Sequence, residues 1–233
     1  ARHYVVGYDN MLRDNLYMKA EVYYQDLYDV PVDRTGENYF SIINFRAGFS
    51  DRPLANNGTG RNYGLEVTLE KYFSDNYYFL VTGSLCDSQY TGSDNVERNT
   101  RFNSNHAMNV LAGKEFVFGS ENRRKAFGFS VKSTWVGGPR LIPIDLEASI
   151  LADETVRDYD RAFEETGDDY FRTDIQISFR KDRSKATHIL KLDIQNVTNR
   201  LNTFNLQYDS NTQSIRKSTQ LGIIPILSYK VKF

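Results

Sequence analysis

Apolar and polar positions alternate with a period of two along much of this chain. In LYMKAEVYYQ, Leu16, Met18, Ala20 and Val22 are interleaved with Lys19, Glu21 and Tyr23, and in YGLEVTLEK, Leu65, Val67 and Leu69 alternate with Glu66, Thr68 and Glu70. YFRTDIQISFR sets Phe171, Ile175, Ile177 and Phe179 against Arg172, Asp174, Gln176 and Arg180, and HILKLDIQ sets Leu190, Leu192 and Ile194 against Lys191, Asp193 and Gln195. Successive side chains of a strand point to opposite faces, so each segment predicts a strand with one apolar and one charged face. The pattern yields about nine strands. They run from Arg2 to Asp9, Leu16 to Tyr28, Asn62 to Phe73, Asn76 to Tyr90, Asn105 to Phe118, Ala126 to Val136, Asp169 to Arg180, Thr187 to Tyr208 and Gln213 to Phe233. The expected class is all-β and antiparallel.

A soluble sandwich shares that alternation, and the connections say more. Short links (Met11 to Asn15, Ser74 and Asp75, Gly119 to Lys125, Lys181 to Ala186) alternate with long ones (Val30 to Arg61, Thr91 to Ser104, Gly137 to Asp168). Outer-membrane barrels have tight periplasmic turns and extended extracellular loops, whereas a sandwich has no reason to sort its loops by length. The expectation is an antiparallel transmembrane β-barrel segment with long loops extracellular, and with short turns and C-terminus periplasmic.

The chain ends ILSYKVKF, and from Ile223 onward Ile223, Leu227, Tyr229, Val231 and Phe233 fall on one face and Ser228, Lys230 and Lys232 on the other. In water such a strand is an aggregation template. In a membrane its apolar face meets lipid, and Phe233 falls among the aromatic residues of the periplasmic interface. Glu66, Arg172, Asp174, Lys191 and Asp193 are then expected to face the lumen, because Arg or Lys on the lipid face costs about 2–4 kcal/mol near mid-bilayer.

Composition narrows the chemistry. A net charge of −1 over 233 residues gives no electrostatic reason to bind nucleic acid. The 16 Tyr and 15 Phe, against 5 Pro, favour strands. The single Cys86 leaves no intrachain disulfide to form, and His3, His106 and His188 have none of the spacings of zinc sites. No eighteen-residue apolar run predicts a transmembrane helix, which leaves barrel strands open because their hydropathy signal is weaker. There is no G-x-S-x-G, P-loop or H-E-x-x-H motif, and no enzyme is expected. The start, ARHYVVGYDN, lacks the features of a signal peptide, so either a leader was removed or the chain is a piece of something longer.

NYGLEVTLEKYFSDNYYFLVTGSL resembles the G-x-E-hydrophobic strand hairpin of TonB-dependent outer-membrane receptors. DYFRTDIQISFR and LKLDIQNVTNR resemble their closing strands with the N-hydrophobic-T-N element, and YYQDLYDVPV, NVLAGKEF and VGGPRLIPID resemble receptors of this kind from Bacteroidetes. PILSYKVKF is similar to the terminal strand read by the assembly machinery, which implies a barrel-assembly signal at Tyr229, Val231 and Phe233. The resemblance implies that residues 1–233 are the C-terminal portion of a roughly 22-stranded barrel, without its plug domain and N-terminal strands. It further implies active uptake across a Gram-negative outer membrane of a nutrient such as a glycan, peptide or metal chelate. Its partners are the receptor's own plug, the TonB complex acting through the plug, outer-membrane lipid and, in Bacteroidetes, a surface lipoprotein. No cofactor is implied.

Candidate site residues lie in the long loops. Arg140, after the Gly-Gly of GGPR, suits a bidentate contact with an anionic substrate. Tyr159, Phe163 and Tyr170, with Tyr39, Phe40, Phe45 and Phe49, either stack on a sugar ring or pack the loops together. The acidic stretch from Asp145 to Asp169 offers Asp153, Asp158 and Asp160 as calcium ligands, although its spacing matches no EF-hand and a charged loop is usually just solvated. Two rivals remain at this stage: a passive outer-membrane channel or adhesin barrel, and a soluble carbohydrate-binding β-sandwich.

Overall fold

The fold was analysed in a computed structural model that describes residues 1–45, 48–120 and 124–233. In chain order the strands are β1 (Arg2–Arg13), β2 (Leu16–Asp33), β3 (Leu54–Ser74), β4 (Tyr77–Thr91), β5 (Glu97–Asn99), β6 (His106–Phe118), β7 (Lys125–Val136) and β8 (Arg140–Leu141). A short helix, α1 (Leu146–Ala152), precedes β9 (Glu165–Thr166), β10 (Tyr170–Asp182), β11 (Thr187–Gln195), β12 (Thr203–Asp209), β13 (Ser214–Thr219) and β14 (Ile224–Lys232). The main sheet has the order β1-β2-β3-β4-β6-β7-β10-β11-β14, with β5 added beside β4. Each neighbouring pair is antiparallel. Among the described residues β1 and β14 are the two open edges.

Because sheet neighbours are also chain neighbours, connections fall at alternate ends. Tight links at 14–15, 75–76, 119–124 and 183–186 share one end, and residues 121–123 of the predicted Gly119 to Lys125 link lie outside the described part. Asp75 (φ 51°) and Asn76 (φ 63°) are both left-handed, the pairing a two-residue hairpin turn demands. Lys71 folds over this turn and donates to Ser74 O at 3.1 Å, with its ammonium 3.8 Å from the Tyr77 ring centroid. The long connections share the other end.

The sheet corrects two predicted boundaries. The strands expected over Thr187 to Tyr208 and Gln213 to Phe233 are each broken, and β12 and β13 leave the sheet as a separate hairpin. The NVTN element is the break: Asn196 and Asn199, both at φ 52°, turn the chain out of β11. Asn196 is buried, and its Nδ2 donates to Arg200 O at 2.9 Å and Leu221 O at 3.3 Å. Asn199 Oδ1 accepts from Ile223 N at 3.0 Å, so both ends of the excursion are clasped together. Residues 196–223 thus form a fourth long connection at the same end as the other three.

Cross-strand pairing aligns the apolar positions of all strands on one face. Val6, Val22, Leu65 and Leu85 are successive partners across β1, β2, β3 and β4, and Phe127, Phe179, Leu190 and Tyr229 across β7, β10, β11 and β14. This face is uncovered: Val6 is 77% exposed, Leu85 60% and Leu227 71%. Its aromatic residues gather near its two ends. Tyr4, Tyr24, Tyr63, Trp135 and Phe171 lie toward the long loops, and Tyr77, Phe116, Phe118, Phe127, Phe179 and Tyr229 toward the short turns. Aliphatic residues fill most of the span between, with Tyr8 and Phe129 among them.

The opposite face is polar. Glu66, Arg172, Asp174, Lys191 and Asp193 all lie on it, beside Glu21, Thr134, Lys132, Ser228 and Gln176 respectively. Arg172 holds Asp174 in a two-pronged pair at 2.6 and 2.9 Å, and Gln176 Nε2 donates to Asp193 Oδ1 at 2.5 Å.

Candidate functional site

Most buried apolar side chains sit in the long-loop layer. Val30, Val32, Tyr90, Ala162, Phe163 and Tyr208 are buried there, whereas Ala126 is the sheet's own example toward the other end. Tyr90, at the loop end of β4, packs edge-on against Phe163 (centroids 6.2 Å apart), and its hydroxyl donates to Tyr39 O at 2.7 Å. Tyr39 stacks on Tyr159 at 5.0 Å with 14° between the rings, and burial raises the Tyr39 phenol above its usual range. Asn202, also buried, donates to Phe171 O and accepts from Phe171 N, pinning the fourth connection to the start of β10. This layer is a small core standing on one end of the sheet.

A cavity of about 590 Å³ opens within it. The connection after β2 supplies Tyr39, Phe40, Asn44 and Phe45; that after β5 supplies Arg101; that between β7 and β10 supplies Arg140, Arg157, Phe163, Glu165 and Asp168; and the excursion after β11 supplies Phe204, Leu206 and Lys217. Arg140 donates to Asn103 O (3.2 Å), Thr166 Oγ1 (2.8 Å) and Asn105 Oδ1 (2.7 Å). Arg157 donates to Ile142 O (3.0 Å) and Leu206 O (3.2 Å). Glu165 lies 4.0 Å from Arg161, and Asp168 accepts from Lys217 at 2.8 Å. Asn44 is 8% exposed, and its Oδ1 accepts from Arg101 N at 2.9 Å.

Gly137 and Gly138 bring Arg140 to this wall. A Cβ on Gly138 would lie 1.8 Å from Gly167 O and one on Gly137 1.9 Å from Ser104 O, so only glycine allows these backbones to approach. Gly138→Ala is expected to cost about 1–3 kcal/mol through forced backbone shifts, read as a lower unfolding midpoint and faster proteolysis of the loop layer.

The predicted residues divide accordingly. Arg140 and Phe163 line the cavity; Tyr159 reaches it only through its stack on Tyr39; Tyr170 opens β10 opposite Val136 and is outside the lining. The structure does not assemble Asp153, Asp158 and Asp160 into a calcium site: among the described residues no three acidic, His or Cys side chains are placed to hold a metal. Asp153 ends α1 in a left-handed conformation, while Asp145 and Asp158 accept from backbone N–H groups as caps of α1 and of the turn at Tyr159–Arg161. Tyr229 and Val231 lie at the short-turn end, remote from the cavity. Asn44, Arg101, Arg157, Phe204 and Lys217 are lining residues that the pattern did not single out.

Asp168 clips the β12–β13 hairpin to the loop layer through Lys217 and through Thr203, whose hydroxyl donates at 2.9 Å. The Lys217 ammonium, then the Thr203 hydroxyl, hold its carboxyl below the usual range. A depressed folded value means that the stabilisation is present above the unfolded carboxyl pKa of about 3.9 and lost as pH falls through the folded one. Amide exchange in the hairpin is therefore expected to speed up below about pH 4, modestly because the pair is exposed, and Asp168→Asn should remove that step.

No family model, no curated protein and no solved structure matches the chain.

Proposed function

We propose that this chain is part of the wall of a TonB-dependent outer-membrane receptor that imports a nutrient such as a glycan, peptide or metal chelate, and is a transporter and not an enzyme. One observation carries the reading: the sheet exposes its apolar face and keeps a hydrogen-bonded, charged face opposite, while the hydrophobic core lies in the loops. Water would not stabilise that distribution; lipid would. Aromatic rows near both ends of the apolar face fit the two interfaces of a bilayer. Long connections gathered at one end fit extracellular loops, and the open edges β1 and β14 fit strands that continue into a larger barrel. In this reading the polar face meets the lumen and the plug, the plug meets the TonB complex, and a surface lipoprotein covers the loop end.

The test is to locate the native polypeptide with an antibody against residues 145–169. A band well above 26.9 kDa in the outer-membrane fraction, with uptake abolished by a protonophore, is the expected result. A band near that mass in the soluble fraction would overturn it.

A further inference from the structure

We infer that the loop-end cavity binds an acidic oligosaccharide, with uronate carboxylates on Arg140 and Arg157 and sugar rings against Phe204 and Phe45. The inference rests on the reading of this end as the substrate entrance.

Arg140 and Arg157 give the lining its charge. Among the described residues every acceptor of Arg140 and Arg157 is neutral: backbone carbonyls, an amide oxygen and a hydroxyl. A guanidinium carries five N–H groups; three atoms of Arg140 and two of Arg157 are engaged, so both retain donors and an unneutralised charge. The wall carries two carboxylates against Arg101, Arg140, Arg157 and Lys217: Asp168 pairs with Lys217 of the same wall, and Glu165 lies 4.0 Å from Arg161. The cavity consequently presents net positive charge in a part-enclosed space, where a carboxylate gains a charge-assisted, fork-shaped contact.

The second requirement is a flat carbon surface. Phe204 is 75% exposed and Phe45 38%, yet both border the cavity, so their faces are available to a ligand without unpacking the loops. Sugar rings present C–H faces to such rings while their hydroxyls reach the polar wall. At about 590 Å³ the space holds a short stretch of a chain whose remainder lies outside. An acidic peptide would satisfy the arginines but offers side chains and amides, not a repeated ring face, to the two phenylalanines.

The test uses the native full-length protein and calorimetric titration with a short oligogalacturonate, its methyl ester and a glutamate-rich peptide. Oligogalacturonate is expected to bind, and its methyl ester at least about tenfold more weakly, a difference that shrinks as salt rises. Arg157→Gln should reduce the preference for the acid, leaving the part that Arg140 supplies. Phe204→Ala, an exposed site with no part in holding the fold, should weaken the acid and ester alike. Equal binding of acid and ester, tighter binding of the peptide, or no binding of any probe would overturn the inference. Membrane fractionation during purification reports separately on the receptor reading, so one can fail while the other stands.

Discussion

Val67→Arg is expected to destabilise the protein by about 2–4 kcal/mol in a bilayer and to deplete it from the outer membrane. Val67 pairs with Ala20 and Gly83 on the apolar face, midway along β3 between Tyr63 and Lys71. It is already 40% exposed, and no atom lies near the space above Gly83, so an arginine has room. In water a substitution at so open a site would stay within about 0.5 kcal/mol. The size of the effect therefore reports what surrounds the face. Thr82→Arg, on the polar face between Thr68 and Asn109, is the matched control and should assemble normally. Urea midpoints in lipid vesicles for both variants provide the measurement; equal, small shifts would count against lipid on this face.

The sheet was legible because period two survives local irregularity. Ladders such as Glu66–Val67–Thr68 and Arg172–Thr173–Asp174 fix the face of every residue once one is placed, and a one-residue slip would turn the whole strand over. Loop lengths likewise read directly as the two ends of a meander. Failure came where side chains replace the backbone as hydrogen-bond partners. Asn196, Asn199 and Asn202 end β11, clasp the excursion and bind Phe171, and the alternation lapses there: Asn196, Thr198, Arg200 and Asn202 take the register that Leu190, Leu192 and Ile194 hold in β11 before Phe204, Leu206 and Tyr208 resume it. Paired asparagines flanking a short apolar residue were the available signal, since asparagine accepts left-handed backbone and satisfies nearby amides.

Less of the site could be read. Arg140 was visible because two glycines precede it, and the structure gives them the reason of close backbone approach to Gly167 and Ser104. Arg157 sits in an acidic stretch, yet its hydrogen bonds go to Ile142 O and Leu206 O, and the neighbouring carboxylates serve as caps or pair with Arg161 and Lys217. Asn44 and Phe204 acquire significance only from residues on other connections. A cavity assembled from four connections has no local period, so its lining follows from packing and not from pattern.

That packing makes Tyr90 the most sensitive position of the loop end. Tyr90→Ala is expected to cost about 3–5 kcal/mol by leaving a void beneath Phe163, and Tyr90→Phe about 1 kcal/mol for the lost bond to Tyr39 O. The two losses act on different elements. The void releases Phe163 and with it the connection between β7 and β10; the lost hydroxyl releases the connection after β2 at Tyr39. The sheet should survive both, since β4 remains laddered to β3 and β6 along its length. Amide exchange should then show loss of protection at residues 36–45 and 137–169 in the alanine variant, with β3, β4 and β6 unchanged below Tyr90. Loss of sheet protection in step with the loops would mean that the two layers unfold as one unit, and that the loop core helps to hold the wall as well as the cavity.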